Sequence, residues 1–489
     1  MPDCGNLKIP GPSTGSIFVP SRREECGIFG IYGHEDAAKL AYFGLYALQH
    51  RGQESAGIAV ADGCRIVDYK HMGLVNDVFN EERLKTLRGY ISVGHVRYST
   101  TGASLVANAQ PFVVFHGNNH YAIAHNGNLV NAVALRQDLE RQGAIFRSTM
   151  DTEIFMHLLA RNLIYGLEEA LISALTQVQG AYSLTMCTKD ALIGVRDPNG
   201  FRPLCLGELN DSYVLASETC ALDLIEATYI RDLEPGEVLI IDDNGMRSLF
   251  PFPKRRPSYC IFEFIYFARP DSNIFGQNVY MCRKKLGGLL AQENSSIKAD
   301  LLMPFPDSGN YAALGFAELS HVPLEIGIIR NHYVGRTFIQ PSQAMRDFSV
   351  RVKLNPVREL LRDKSVILVE DSIIRGTTTR TRIKSLRQAG AKEVHMMVSC
   401  PPHRFPCPYG IDFSTKGELI AASHSVEQIR DFIGLDSLNY LSLDGLLEGA
   451  GATRDNHPFC LACFDGKYPV QFKEEVRKNC FEGRNRKSA

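Results

Sequence analysis

The chain has 489 residues, 45% hydrophobic and 22% charged, with 53 basic against 54 acidic side chains. That length predicts two domains of roughly 200 residues each. The balanced charge excludes the basic bias of a nucleic-acid binder, and no run approaches the roughly 18 apolar residues of a membrane span. Residues 1–25 are polar and broken by prolines and glycines, without the apolar centre of a signal peptide. A cytoplasmic setting is therefore expected, in which the thirteen cysteines stay reduced and serve catalysis, metal binding or packing. At Cys26 the polar lead gives way to "GIFGIYG" (27–33), which predicts a buried strand that begins on a thiol. From there to about residue 250, short apolar runs such as "SAGIAVADG", "ISVGHVRYSTTG", "HYAIAHNGNL" and "AYSLTMCT" alternate with turns and with the helical pattern "DTEIFMHLLARNLI". Sheets with helices packed against them follow from that rhythm. "FPFPKRRPSY" (250–259) reads as a linker. Beyond it, "ADLLMPFPDSGNYAALGFAELS" and "KSVILVEDSIIRGTTTRTRIKSLRQAGAKEV" each predict a strand, a loop and a helix, the grammar of a parallel α/β sheet.

The strand 366–369 runs into Glu370 and Asp371, and Gly376-Thr377-Thr378-Thr379 then opens a helix. Backbone N–H groups and hydroxyls at a helix N-terminus hold an anion, and ligands of open α/β sheets collect at the carboxyl ends of strands. Two carboxylates there suit sugar hydroxyls or Mg²⁺. Taken alone, an acidic pair before a threonine-capped helix is equally an ordinary βα turn. "PFPDSGN" (304–310) repeats the strand-loop-helix pattern. Residues 331–356, with Arg336, Arg346, Arg351 and Lys353, are by themselves no more than a solvated connector. Cys26 becomes a nucleophile with its own base if residues 1–25 are removed, because an α-amine of pKa about 7.7 to 8.0 takes the thiol proton. Taken alone it is equally a small apolar strand residue.

The string "VILVEDSIIRGTTTR" resembles the phosphoribosylpyrophosphate (PRPP) signature of type I phosphoribosyltransferases. The resemblance implies that Glu370 and Asp371 hold the ribose hydroxyls and that Arg375, Gly376, Thr377, Thr378 and Thr379 surround the 5′-phosphate. Glu370 stands where close relatives carry aspartate, which bears on ligand geometry. By the same resemblance Asp307 and Ser308 belong to a pyrophosphate loop, Ser308, Glu370 and Asp371 face Mg²⁺, and Arg336 lies in a segment that closes over PRPP. A lid is sensible where an oxocarbenium-like centre must be kept from water.

Cys26 together with "LQHRGQESAG" (48–57), "GHVRYSTTG" (94–102), "AHNGNL" (124–129) and "STMDTE" (148–153) resembles the class II, N-terminal-nucleophile glutamine amidotransferases. Amide hydrolysis passes through an oxyanion, for which Asn126 and the Gly127 N–H are donors by that resemblance. Arg97 suits the α-carboxylate of glutamine through a bidentate fork, and Asp151 suits its α-ammonium. Asn-Gly alone is more simply a hairpin turn.

With both halves present, the chain resembles the glutamine PRPP amidotransferase family from Cys26 to about Gly466. The implied architecture is a propeptide (1–25), an α+β N-terminal-nucleophile glutaminase domain with stacked antiparallel sheets between helices (26–255), an α/β type I phosphoribosyltransferase domain with a parallel sheet (256–445), and a C-terminal segment (446–489). The implied reaction converts glutamine, PRPP and water to 5-phosphoribosylamine, glutamate and pyrophosphate, the first committed step of de novo purine synthesis. Ammonia protonates in neutral water, so an internal channel and a glutaminase that waits for PRPP are expected, with Tyr98 at the coupling point. Inhibitory purine nucleotides and a homo-oligomer, dimer or tetramer, are also implied.

"NHPFCLACFDGKYP" carries Cys460 and Cys463, which alone are a redox pair, half a zinc site or coincidence. With Cys260 in "YCIFEFIYFARPDS" and Cys407 in "RFPCPYGID", the resemblance to the Bacillus-type branch implies a structural [4Fe-4S] cluster on four thiolates. Zinc competes on ligand count. Two rival functions are an amidotransferase with another acceptor and a nucleotide-sensing regulator that has lost catalysis. Substituting Cys26 with alanine separates an enzyme from a sensor.

Overall fold

The computed structural model describes residues 26–98, 104–331, 354–411 and 415–472. The expected propeptide, Arg336 and most of the expected lid lie outside these residues.

The strand Gly27–Tyr32 forms as expected and lies inside a sheet, paired antiparallel with Ile91–Arg97 on one side and Ser212–Ala216 on the other. The whole sheet has seven strands in the order Thr228–Asp232, Cys205–Leu209, Ser212–Ala216, Gly27–Tyr32, Ile91–Arg97, Ser55–Ala61, Ile66–Met72. A second, six-stranded sheet runs Gly245–Leu249, Val238–Asp242, Leu192–Arg196, Gly180–Cys187, Asn119–Leu129, Phe112–His116. Ile28, Val93, Ala122, Leu192 and Leu215 fill the space between the sheets. The outer face of the first sheet is covered by the helices Ala37–Ala47 and Thr219–Leu224, and that of the second by Thr152–Ala160 and Leu167–Leu175. Strands buried on both faces read as continuous apolar runs, which is why Ser55–Ala61 and Gly180–Cys187 are buried at every position.

After residue 250 the expected change of rhythm appears as a parallel sheet, in the order Leu301–Pro304, Ser365–Glu370, Glu393–Val398, Ser437–Tyr440. The helices Val279–Glu293 and Asn310–Ser320 pack through glycines, since a Cβ on Gly287 or Gly315 would overlap a carbonyl of the facing helix. Two features carry no local sequence signal. Tyr259–Cys260 pairs parallel with Phe459–Cys460, and Glu263–Phe267 forms a turn of π-helix. The hairpin alternative for "HNG" fails, because Asn126 and Gly127 lie within an eleven-residue strand, opposite Ser183 and Tyr182. Among the described residues no helix is long and apolar enough to cross a membrane.

Candidate functional site

Cys26 sits at the end of the central strand, buried, its thiol donating to the Tyr98 carbonyl at 3.4 Å. The register Gly27↔Val96 and Ile28↔His95 brings it beside Arg97. From the same strand His95 Nε2 reaches the His125 carbonyl oxygen of the second sheet at 3.1 Å, one residue before Asn126. Thiol and Asn-Gly pair therefore occupy one end of the two stacked sheets.

Asn126 is 1% exposed and its Nδ2 is buried with no hydrogen-bond partner among the described residues, the state of a donor kept for something that is not protein. Gly127 has φ +146°, and a Cβ there would overlap the Ala181 carbonyl oxygen, so only glycine lets its backbone take this path. Arg97 and Asp151 are both buried, with Arg97 Nη1 3.6 Å from Glu54. Asp151 accepts from the Leu129 N–H at 3.0 Å and lies 3.5 Å from His125 Nδ1. Burial alone pushes the Asp151 carboxyl up, but His125 and the N–H groups of Leu129 and Thr152 outweigh it and hold it below its ordinary value.

Arg51, quoted within "LQHRGQESAG" but assigned no task, anchors this edge. Its Nε donates to the Cys26 carbonyl at 3.0 Å, and its two Nη groups pair with Glu218 at 2.6 Å and Glu263 at 2.8 Å. Burial pushes Glu218 up, yet His50 and Arg51 override this and hold it far below the usual carboxylate range. Neither carboxylate is near Arg51 in sequence, so no local pattern announces the cluster.

At the carboxyl end of Ser365–Glu370, both Glu370 and Asp371 are largely buried, and Ser372 Oγ donates to Asp371. Gly376 has φ +71° at the N-terminus of Thr377–Gln388, where Thr377 and Thr378 are exposed and Thr379 is buried. The Asp307-Ser308 loop closes over the same strand end. Phe305 N–H donates to the Val369 carbonyl at 2.8 Å, and a Cβ on Gly309 would overlap that carbonyl. Asp307 pairs with Arg330, and Arg375 with Glu418 at 2.6 Å.

Residues 407–411 lie against the glutaminase edge, and residues 415–420 lie beside the threonine loop. Asn128 Nδ2 donates to the Pro408 carbonyl at 2.8 Å, Tyr409 stacks on Phe201 at 4.4 Å, and Gly410 packs against the Gly127 backbone, where a Cβ would come within 3.1 Å. Further along, Ile420 N–H donates to the Ile374 carbonyl at 2.8 Å beside the threonine loop. The site-proximal roles of Asn128, Gly410 and Arg51 escaped sequence reading because each contact is long-range.

Cys260 and Cys460 face each other across the parallel pair 259–260 and 459–460, and Cys463 follows on the short helix Ala462–Asp465. Burial pushes the Cys460 thiol up to about 12, with Cys407 adding to the shift, and Cys463 rises further under burial and the nearby Cys460, Cys260 and Cys407. Cys460 and Cys463 stand as thiols rather than as a disulfide. Among the described residues no three His, Cys, Asp or Glu side chains converge as ligands of one metal ion.

An N-terminal-nucleophile glutaminase edge joined to a strand-end phosphate site of phosphoribosyltransferase type is the class that this architecture defines. A family model described as "Glutamine amidotransferase domain" matches residues 95–224. The amidophosphoribosyltransferase of Bacillus subtilis (strain 168) is 50% identical over 461 residues, covering 94% of this chain and 97% of that protein. The amidophosphoribosyltransferase of Methanocaldococcus jannaschii is 49% identical, covering 92% and 98%. A solved structure of glutamine PRPP amidotransferase from B. subtilis, complexed with ADP and GMP, matches at TM-score 0.88 and 49% identity over 92% of this chain and 99% of that one. The chain belongs to the amidophosphoribosyltransferase family.

Proposed function

We infer that this protein transfers the amide nitrogen of glutamine to PRPP, giving 5-phosphoribosylamine, glutamate and pyrophosphate, the first committed step of purine nucleotide synthesis. The observation that carries the reading is that Gly410 lies against the oxyanion glycine while Ile420, a short way along the chain, lies beside the threonine loop. A glutaminase and an ammonia acceptor built that close suit a nitrogen that must not meet bulk water.

With residues 1–25 removed, the α-amine of Cys26 takes the thiol proton and the thiolate attacks the glutamine amide carbon. Asn126 Nδ2 and the Gly127 N–H receive the oxyanion, Arg97 and Asp151 grip the α-carboxylate and α-ammonium, and the proton returns to the departing ammonia. Water then hydrolyses the thioester to glutamate. At the acceptor, Arg375 and the Gly376–Thr379 turn hold the 5′-phosphate, Glu370 and Asp371 hold the ribose hydroxyls, and Asp307 and Ser308 line the pyrophosphate side. Ammonia attacks C1 of the ribose as the C–O bond to pyrophosphate breaks, and loses a proton. Arg336 is assigned to closure over PRPP, and Tyr98 to coupling, by resemblance alone.

A magnesium ion held mainly by substrate phosphates needs only one or two protein carboxylates, and Glu370 and Asp371, with Ser308 nearby, supply that donor set. Bound there, the ion would neutralise the charge that develops on pyrophosphate. Cys260, Cys407, Cys460 and Cys463, whose thiols lie close enough to raise one another, are assigned to a [4Fe-4S] cluster by resemblance to the Bacillus-type branch, with zinc the competitor on ligand count. Such a cluster would cross-link the C-terminal segment to the acceptor domain and take no part in the reaction. Inhibition by purine nucleotides is supported by the relative solved with ADP and GMP. Assembly into a dimer or tetramer and a cytoplasmic location complete the reading.

Glutamate and pyrophosphate release by anaerobically purified protein, with and without PRPP and Mg²⁺, tests it. Parallel release that rises with PRPP is the expected result. A glutaminase indifferent to PRPP, in protein shown by mass to begin at Cys26, overturns it.

A further inference from the structure

A nucleophile at a chain terminus has a peptide bond on one side only, and termini fray unless something holds them. Here the hold on the Cys26 backbone includes Arg51, whose Nε donates to the Cys26 carbonyl at 3.0 Å. The Arg51 side chain is fully buried, so its charge needs buried partners. Glu218 supplies one from within the glutaminase half. The other is Glu263, 212 residues away and beyond the 250–259 connector, which takes both Nη groups in a fork, at 3.0 Å to Oε2 and 2.8 Å to Oε1.

Glu263 begins the π-helical turn Glu263–Phe267, a geometry frequent at functional sites. That turn is gripped from the acceptor side by the buried Arg283, whose Nε donates to the Phe264 carbonyl at 2.7 Å and whose Nη2 donates to the Ala268 carbonyl at 2.9 Å. A second branch leaves Glu263 through Arg202, at 3.4 Å, to the Tyr409 carbonyl at 2.7 Å, next to the glycine that lies on Gly127.

We propose that Glu263 is a positioning residue for the glutaminase thiol, seating Cys26 through Arg51, with the 263–268 turn that carries it held in place by Arg283. The proposal rests on the function assigned above and adds a residue from beyond the connector to the seat of the nucleophile. The turn has rigid main-chain contacts at one end and a charge fork at the other, so a small rotation of it alters the seat of Cys26.

The test uses mature enzyme beginning at Cys26, iodoacetamide as thiol probe and mass spectrometry as readout, across a pH range bracketing the free thiol value near 8.5. Glu263→Gln lowers the Cys26 alkylation rate by about tenfold, a change of the order of an ordinary coupling between sites. Glu263→Asp, which keeps the charge, restores most of the loss. If Glu263→Gln melts out, Arg283→Lys carries the test, since it loosens the turn without touching Arg51 and is expected to lower the alkylation rate in the same direction. Glu263→Gln or Arg283→Lys with an unchanged alkylation profile overturns the proposal. Failure of the underlying function looks different: no phosphoribosylamine forms from ammonia and PRPP, whatever the reactivity of Cys26.

Discussion

At the thiol edge, the groups that would meet glutamine are already buried and fixed, with Arg97 2% and Asp151 6% exposed and Asn126 Nδ2 aimed at no protein acceptor. At the strand-end loop, Thr377 and Thr378 stand in solvent and Asp307 is exposed, although Glu370 and Asp371 behind them are buried. The difference follows from the chemistry each place serves. A neutral amide that becomes an oxyanion only in the transition state rewards donors fixed beforehand in a dry pocket. A substrate that arrives with several negative charges brings its own driving force, and an open helix N-terminus is enough to receive it.

Removing the thiol breaks the comparison most completely. Cys26→Ala is expected to lower the glutamine-dependent rate by about a millionfold, the order seen when a catalytic nucleophile is deleted. The ammonia-dependent rate should survive, because the acceptor half is untouched; loss of both rates would contradict the division of labour. Asn126→Ala probes the preorganised side alone. It should cost about 10² to 10³ in glutamine-dependent kcat, with little change in the KM for glutamine, measured by glutamate release. Asp371→Asn probes the open side, and should cost about a hundredfold with ammonia and with glutamine alike. A loss confined to glutamine would place Asp371 in coupling rather than in substrate holding.

Legibility in the sequence tracks how local each device is. The threonine loop is one contiguous string, with Glu370, Asp371 and Gly376–Thr379 inside ten residues, so its chemistry could be read directly. The sheets were legible because strands buried on both faces are largely apolar, as in Ser55–Ala61, where only Ser55 is polar. Arg51 was quoted without a role, because its partners Glu218 and Glu263 are 167 and 212 residues away and a single arginine in a motif says nothing of burial. The pairing of Cys260 with Cys460 is equally distant, and only the resemblance joined them. Asn-Gly misleads by propensity. Tertiary pairing with Ser183 and Tyr182 keeps it in a strand against its turn preference.

The contact between the halves admits a milder test. Tyr409 OH donates to the Val470 carbonyl at 2.8 Å and accepts from the Val470 N–H at 3.0 Å, fastening the C-terminal segment. Tyr409→Phe keeps the stack on Phe201 and leaves the half-buried Val470 groups short of partners. A loss of about 1 to 2 kcal/mol is expected, read as a lower melting temperature and faster proteolysis after residue 465.

The smallest effect concerns Asp151, where the expected result is constancy. Buried carboxyls ordinarily rise, and a raised Asp151 would be partly neutral in mild acid and would lose its hold on the glutamine ammonium. Here His125 and two N–H donors outweigh burial, so the folded value lies below the unfolded value of about 3.9. The sign follows: a depressed carboxyl contributes stability that is complete above the unfolded value and lost as pH falls through the folded one. The KM for glutamine should therefore stay flat from neutrality down to about pH 5, well above that window. The stability difference between the parent and Asp151→Asn should likewise be constant there and shrink only in stronger acid. A KM that climbs between about pH 6 and 5 would mean that burial wins after all, and the preorganised edge would then be less finished than its geometry indicates.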